Sequence, residues 1–450
     1  MSATLGPRVV IAGTHSGVGK TSVTTGIARA LTRRGTRVAT AKVGPDYIDP
    51  GYHSVASGRP GRNLDPWLCG EGAIGPLAGR AGADAEVLLV EGVMGLFDGS
   101  GAAGDPSFAS TAHVARLLDA PVVLVVAAAS MSTSVAALVS GFRDYDPSLA
   151  LQGVVLNRVG SDGHEALLRD ALAPLGVPVV GALRRGDAFR WRDRYLGLVP
   201  VVEHTAAVTD SVDALAAAVA AQLDLDALLA IAATAPRRSV EDPPRPGPGP
   251  AVRVAVASGP AFSFCYPDNL EVLAAAGAEL VPFDPHVDEA LPPAVDGLVA
   301  GGGFPEVYAP ELGANEPLLA DVRNRVAGGL VTWAECGGLL WLSRALDGTG
   351  LVAALPAAAR MTDRLTLGYR TAEVRADCPV GPAGSRLRGH EFHYSTVDPP
   401  GDALELVGRT GTTRGGYASP TLLASYLHVH LGGDPTPAER FVATCARSSA

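Results

Sequence analysis

The chain has 450 residues, too many for one ordinary domain, and its 47% apolar content with few aromatics suits a large α/β protein. A formal net charge of −10 with no basic cluster excludes nucleic acid and an anionic membrane surface as natural partners. Five scattered cysteines without a CxxC pair, no bilayer-long apolar run and a start that leads directly into a strand predict a soluble, reduced, cytoplasmic protein.

Val9 to Ser22, VVIAGTHSGVGKTS, reads as a strand, a glycine-bearing loop and the start of a helix that runs to about Arg34. Phosphate binding needs free backbone N–H groups, a helix N-terminus aimed at the anion and a mobile cation. Gly17, Gly19 and the helix start supply the first two, Lys20 the third, and Thr21 the hydroxyl expected on Mg²⁺. The strict GxxxxGK[ST] spacing is not met: Thr14 holds the first glycine's place, and Gly13 stands one residue earlier. His15, Ser16 and Val18 complete the loop assigned to the nucleotide.

A second strand, Thr36 to Val43, leads into a loop, Gly44 to Ser54, where Asp46 and Asp49 stand three residues apart between Pro45 and Pro50. Two carboxylates beside a phosphate site are natural Mg²⁺ ligands, although a DxxD by itself is an ordinary solvated turn. Val87 to Val90 is a buried strand with Glu91 at its carboxyl end, where α/β sheets place ligands, and Asp98 follows in the same loop. Further strands are expected at Val122–Ala127, Gly153–Asn157, Val177–Leu183 and Leu196–Val199. Helices are expected near Ser134–Arg143, His164–Leu172 and Ser211–Ile231, which makes the sheet mostly parallel and covered on both faces. Asn157 ends a strand, where it is a turn former or a reader of an adenine edge.

Proline density in residues 234–250 forbids helix and sheet and marks an extended spacer between a domain at 1–233 and another at 251–450. The second domain opens with the strand Val252–Ala257, followed by a loop, helix and strand over Ala261–Pro285. Val295–Ala300 ends in GGGFPE, and Leu330–Ala334 runs into Glu335, Cys336, Gly337, Gly338 and a helix, LLWLSRAL. A strand, a sharp turn bearing the reactive residue and a helix form a nucleophile elbow, here with a thiol whose pKa the helix start lowers. Cys69, Cys265, Cys378 and Cys445 read instead as small core residues. Thiolate acyl transfer needs a base and an oxyanion pocket. The backbone N–H groups of Gly302, Gly303 and Gly337 are candidates for the pocket, and His428 or His430 for the base. GHEFHYS, Gly389–Ser395, is not HExxH, so His390 and His393 are assigned a structural or substrate-facing role.

These blocks together resemble the cobyrinate and hydrogenobyrinate a,c-diamide synthases, glutamine-dependent amidotransferases of cobalamin biosynthesis. The likeness rests on GTHSGVGKT, KVGPDYIDPGYHS, EGVMGLFDG, FCYPDNLEVLAAAGAEL, GGGFPE, AECGGLLWL, GHEFHYS and SYLHVH, and runs from Val9 to Leu431. It implies an N-terminal P-loop domain of the dethiobiotin-synthetase type, whose loop form explains Thr14, and a C-terminal class I glutaminase domain. It also implies ATP and Mg²⁺ as cofactors, L-glutamine and a corrinoid as partners, and a homodimer. Cys336 would attack the glutamine amide with His428 as its activator, although the Glu that most class I glutaminases carry two residues after that His is here His430. Ammonia would pass by a sheltered path to the synthetase domain, where ATP has turned a substrate carboxylate into an acyl phosphate. Lys20 would stabilise the phosphoryl group, with Thr21, Asp46, Asp49 and Glu91 around Mg²⁺. Tyr47, Ile48 and Asp98 would position the corrin carboxylate. The Ala-, Arg- and Gly-rich composition leans toward the cobalt-free substrate, with cobyrinate and nickel-sirohydrochlorin as alternatives. A ParA/MinD-like ATPase switch is the rival from another class; its signature lysine would fall at His15, and such proteins lack a glutaminase domain.

Overall fold

The computed structural model describes residues 2–101, 105–186, 193–194, 197–198, 201–203 and 205–448. They form two compact units, Met1–Pro243 and Pro244–Ala450.

The first unit is a seven-stranded, wholly parallel sheet. Its strands are β1 (Arg8–Gly13), β2 (Val38–Val43), β3 (Arg62–Leu64), β4 (Val87–Glu91), β5 (Val122–Ala127), β6 (Leu151–Val159) and β7 (Val179–Arg184), in the order β3-β2-β4-β1-β5-β6-β7. β1, β2 and β4 are buried at every position, so they read as continuous apolar runs rather than alternating ones. The helices between them include α1 (Lys20–Arg33), α2 (Asp49–Ser57), α3 (Glu71–Ala81), α4 (Thr111–Leu117), α5 (Ser134–Tyr145) and α6 (Asp162–Leu172). Parallel strands place the loops after β1, β2 and β4 at one edge, with β1 in the centre, and that edge carries the site.

Four expectations are corrected here. The single helix expected over Ser211–Ile231 is two, α7 (Thr205–Gln222) and α8 (Leu225–Ala233). Asp224 breaks them: its N–H bonds Val180 of β7 at 2.8 Å, and its side chain caps the second helix by accepting from Ala227 N–H at 2.8 Å. Asp49 is the first residue of α2 rather than part of a loop. The proline-rich stretch is not free of sheet either, because its proline-free piece Arg238–Glu241 pairs antiparallel with Ser2–Leu5. The strand expected at Leu196–Val199 lies partly outside the described residues; within it, Gly197–Leu198 pairs with Asp193–Arg194 apart from the main sheet.

The second unit centres on a six-stranded sheet of β8 (Val252–Ala257), β9 (Ala278–Phe283), β10 (Gly297–Ala300), β11 (Val331–Glu335), β16 (Tyr417–Ser419) and β17 (Leu422–Ser425), in the order β9-β8-β10-β11-β17-β16. All pairs are parallel except the last. Successive side chains feed opposite cores: Val254, Val299 and Trp333 join one, while Ala255, Ala300 and Ala334 join the other. Helices α9 (Pro267–Ala275), α10 (Glu316–Ala327), α11 (Gly337–Leu342) and α12 (Thr436–Ser448) flank this sheet. Beside it runs an antiparallel sheet that no sequence pattern announced. Its long strands β12 (Ala358–Val374) and β13 (Arg386–Asp398) carry β14 (Leu404–Gly408) and β15 (Gly411–Gly415) on one edge and β18 (His428–Val429) on the other. The helix expected over LLWLSRAL stops at Leu342, and Ala345–Leu346 is a short strand. Among the described residues no helix is long and apolar enough to cross a membrane.

Candidate active sites

In the first unit the loop after β1 spans Thr14 to Gly19 and ends at the start of α1. Gly17 and Gly19 have φ of 77° and 96°, the left-handed region glycine enters freely, and a Cβ on Gly19 would lie 2.4 Å from the Asn157 amide nitrogen. Asn157 donates to Val18 O at 2.8 Å and its own oxygen accepts from Arg158 N–H at 2.8 Å. Its amide thus braces the loop with one N–H and one oxygen lone pair, and keeps a second N–H beyond those bonds. Residues 15–17 are exposed at the rim, whereas Gly13 and Val18 are buried and form the loop's floor; Thr14 bonds His15 at 3.0 Å. Lys20 Nζ meets the carbonyls of His15 at 3.2 Å and Met94 at 2.5 Å, weak partners that an anion would replace. Burial first, and the neighbouring Lys42 charge second, push its ammonium down to about 8, against the pull of Glu91, Asp49 and Asp98.

Behind Lys20 lies a charged nest that sequence reading recognised only in part. Thr21 Oγ1 donates to Glu91 Oε1 at 2.7 Å and stands 3.2 Å from Asp49 Oδ2. Lys42, on the last turn of strand β2, bridges the same two carboxylates at 2.7 Å each and adds Gly92 O at 3.2 Å. His53 Nε2 meets the other Glu91 oxygen at 2.6 Å. Burial alone would discharge Lys42 and Glu91, but Asp49 first and Glu91 second hold the lysine above its ordinary range, and Lys42 first and His53 second hold the glutamate well below its own. Asp49, half-buried, is pushed upward by desolvation first and the Asp46 charge second. Lys42 and His53 were missed. The available signal was a lysine inside an apolar strand, a place such a residue occupies only with a partner.

Three predicted residues do not join the nest as assigned. Asp46 Oδ1 accepts from the N–H groups of Ile48 at 2.8 Å and Asp49 at 3.0 Å, so it shapes the turn that starts α2 rather than meeting Thr21. Ile48 is buried, which sets its side chain in the core and not toward a substrate; Tyr47 is half-buried. Asp98 is exposed and its Oδ2 accepts from Gly95 N–H at 2.8 Å, holding the loop whose Met94 carbonyl touches Lys20. Among the described residues no three acidic, His or Cys side chains form a ready metal cage. A Mg²⁺ ion needs none, since it keeps waters and takes one or two carboxylates with substrate phosphates, and Thr21, Asp49 and Glu91 offer such oxygens.

In the second unit Cys336 stands between β11 and the six-residue α11 with φ 49° and ψ −98°, a strained backbone for a residue with a Cβ. Its N–H donates to Ser425 O at 2.7 Å, pinning the elbow to β17. The buried His428, on β18, hydrogen-bonds the Cys336 side chain. Burial opposes its charge, but the Cys336 sulfur and Glu335 prevail and hold the imidazole up at about 10. His430 turns away: its Nδ1 accepts from Gly432 N–H at 3.0 Å and its ring packs on Tyr266 at 4.5 Å.

The three glycines proposed for the oxyanion pocket are placed differently. Gly302 N–H already donates to Phe264 O at 3.1 Å, which corrects its listing as a donor. Gly302 serves another purpose: a Cβ there would lie 2.5 Å from His428 Cε1. Gly303 N and the Gly337 backbone lie side by side, a Cβ on Gly337 standing 3.1 Å from that nitrogen. GHEFHYS lines the same region from β13. His390 stacks on His428 at 5.0 Å and meets Tyr266 Oη at 2.9 Å, and His393 lies flat on Tyr426 at 3.7 Å. Cys69, Cys378 and Cys445 are buried, while Cys265 is only half-buried and faces Glu335.

Comparison with known proteins agrees with this division. Residues 9–196 match the family described as the CobQ/CobB/MinD/ParA nucleotide binding domain, and residues 253–436 match the CobB/CobQ-like glutamine amidotransferase domain. The chain is 48% identical to a protein of Streptomyces coelicolor named hydrogenobyrinate a,c-diamide synthase, covering 98% of each. It is 47% identical to the protein of that name from Thermobifida fusca, over 97% of this chain and 96% of that one. It is 43% identical to the cobyrinate a,c-diamide synthase of Syntrophotalea carbinolica, over 98% of this chain and 99% of that one.

Proposed function

Because the chain belongs to the cobyrinate and hydrogenobyrinate a,c-diamide synthase family, we propose that it is the ATP-dependent, glutamine-hydrolysing ligase that amidates the a and c carboxylates of hydrogenobyrinate. The observation that carries this reading is a phosphate loop backed by Thr21, Lys42 and Glu91 in the same polypeptide as a Cys336 elbow hydrogen-bonded to His428. A ParA-like switch has no use for the second of these. The cobalt-free substrate is preferred because the relatives at 48% and 47% identity carry that name. It works in the cytoplasm, where its thiols stay reduced, and the family resemblance supports a homodimer.

At the glutaminase site the Cys336 thiolate attacks the side-chain amide carbon of glutamine. The N–H groups of Gly303 and Gly337 donate to the negative oxygen that forms. The His428 imidazolium then protonates the departing nitrogen, which leaves as ammonia, and the resulting thioester is cleaved by a water that gives its proton back to His428. At the synthetase site a substrate carboxylate oxygen attacks the γ-phosphorus of ATP, ADP leaves, and ammonia displaces phosphate from the acyl phosphate to give the amide. Lys20 exchanges its carbonyl partners for phosphate oxygens and neutralises charge as it spreads over them. Mg²⁺, when bound, would be held by Thr21, Asp49 and Glu91 and supplies charge neutralisation of the β- and γ-phosphates. Lys42 and His53 keep Glu91 ionised and aimed.

The test offers ATP, Mg²⁺ and glutamine with hydrogenobyrinate, cobyrinate or nickel-sirohydrochlorin, and mass spectrometry counts the amides added. The diamide forms most efficiently on hydrogenobyrinate; preference for another ring corrects the substrate, and ATP hydrolysis without amidation of any ring refutes the reading. In the same assay Cys336→Ala loses glutamine-supported turnover and keeps ammonia-supported turnover, while Lys20→Ala loses both.

A further inference from the structure

We propose that Glu335, the residue immediately before the nucleophile, is the positioning residue that completes the glutaminase triad by holding His428 from the far side of its ring. The inference rests on the reading of Cys336 and His428 as the reacting pair. A histidine that relays a proton needs a third group to fix its tautomer and its plane. Two residues beyond His428 stands His430, whose Nδ1 is engaged by Gly432 N–H. Glu335 ends β11, and its Oε2 lies 3.5 Å from His428 Nδ1 while its Oε1 takes the Val429 N–H at 3.3 Å. Both carboxylate oxygens thus face the two-residue strand that carries the histidine. With Nδ1 toward the carboxylate, Cε1 and Nε2 lie against Gly302, and the ring also hydrogen-bonds the Cys336 side chain. A distance of 3.5 Å is long for a finished hydrogen bond, as is common before substrate enters, and small side-chain adjustment closes it.

The neighbours leave this task to Glu335. His390, stacked on His428, is pushed well below its ordinary range by burial, then by His428 and His430, so it stays neutral. Its Nε2 is engaged with Tyr266 Oη at 2.9 Å. The Cys265 thiol faces Glu335, and burial first and that carboxylate second keep it protonated. The same charge that orients the ring also favours the imidazolium, the form that must deliver a proton to the leaving nitrogen. Adjacency in sequence has a mechanical consequence: one strand end sets the nucleophile and the residue that steers its partner, so the two cannot drift independently.

The deciding experiment measures glutamine hydrolysis against pH in the full-length chain carrying Glu335→Gln. Expected are a fall in kcat of about 10²-fold, a nearly unchanged KM for glutamine, and ammonia-supported amidation equal to wild type. Losing the carboxylate removes a group that stabilises the imidazolium, so the alkaline limb of kcat/KM moves to lower pH, by roughly one unit. Glu335→Asp restores part of that displacement. A limb that stays at its wild-type pH overturns the proposal whether or not kcat falls, because packing damage alone would not move it. Should Glu335→Gln fail to fold, the Nδ1 proton of His428 in the wild-type protein is read by NMR: a far-downfield resonance marks a carboxylate partner, and an ordinary imidazole position overturns the assignment. Failure of the underlying reading looks different, since Cys336→Ala would then still hydrolyse glutamine.

Discussion

Lys42 Nζ lies 2.7 Å from Glu91 Oε1, and both groups are buried. Removing Glu91 leaves Lys42 paired with Asp49 at 2.7 Å but strips away its second carboxylate, a loss of up to about 3 kcal/mol. Glu91→Gln therefore lowers the unfolding temperature and abolishes amidation with glutamine or ammonia, while glutamine hydrolysis persists. The pH sign follows from the direction of the shift. A carboxylate held below its ordinary range contributes stability that is complete above the unfolded value near ~4.5 and is lost as pH falls through the lower folded value. The gap between wild type and variant, measured by denaturant melts, narrows in acid; a gap independent of pH would contradict the ion-pair account.

Lys20 titrates near 8 in the free protein. Its positive charge is present below that pH and lost above it, so affinity for a non-hydrolysable ATP analogue weakens as pH rises through about 8. Lys20→Arg, which cannot lose its charge, flattens the dependence. Calorimetric titration at a series of pH values checks both statements.

Asn157 braces the phosphate loop through Val18 O. Removing one buried hydrogen bond is worth about 1 kcal/mol, or roughly fivefold in affinity. Asn157→Ala raises the Kd for ADP and ATP equally by about that factor, and does so for GTP as well. A loss confined to adenine nucleotides would point to a base-reading role.

Gly302 leaves no room for a side chain beside His428 Cε1. Gly302→Ala displaces the imidazole at a cost of about 1–3 kcal/mol, cutting glutamine hydrolysis by roughly 5- to 150-fold and sparing ammonia-supported amidation. Full glutaminase activity in this variant would show that the ring has more freedom than its packing suggests.

The parallel α/β character and the two candidate centres were legible because local chemistry dictated them: a glycine loop after an apolar strand, and a thiol between a strand and a glycine pair. Features settled by distant partners were not. Lys42 reads as one polar residue in TRVATAKV until β4 brings Glu91 alongside. Glu335 reads as the end of a strand until β18 returns from nearly a hundred residues away to present His428. Asp46 and Ile48 were misjudged for the complementary reason, since a motif shows that residues matter without showing which way they point.

The ribbon of Ser2–Leu5 with Arg238–Glu241 has a practical consequence. The polypeptide enters and leaves its nucleotide-binding half at one spot, as thread does at the neck of a drawstring bag. Such a module tolerates excision, or re-joining of its ends with fresh termini cut elsewhere, which gives a direct way to produce the kinase-like half without its nitrogen supplier. Bulky fusions ahead of Ser2 would instead pull at the drawstring.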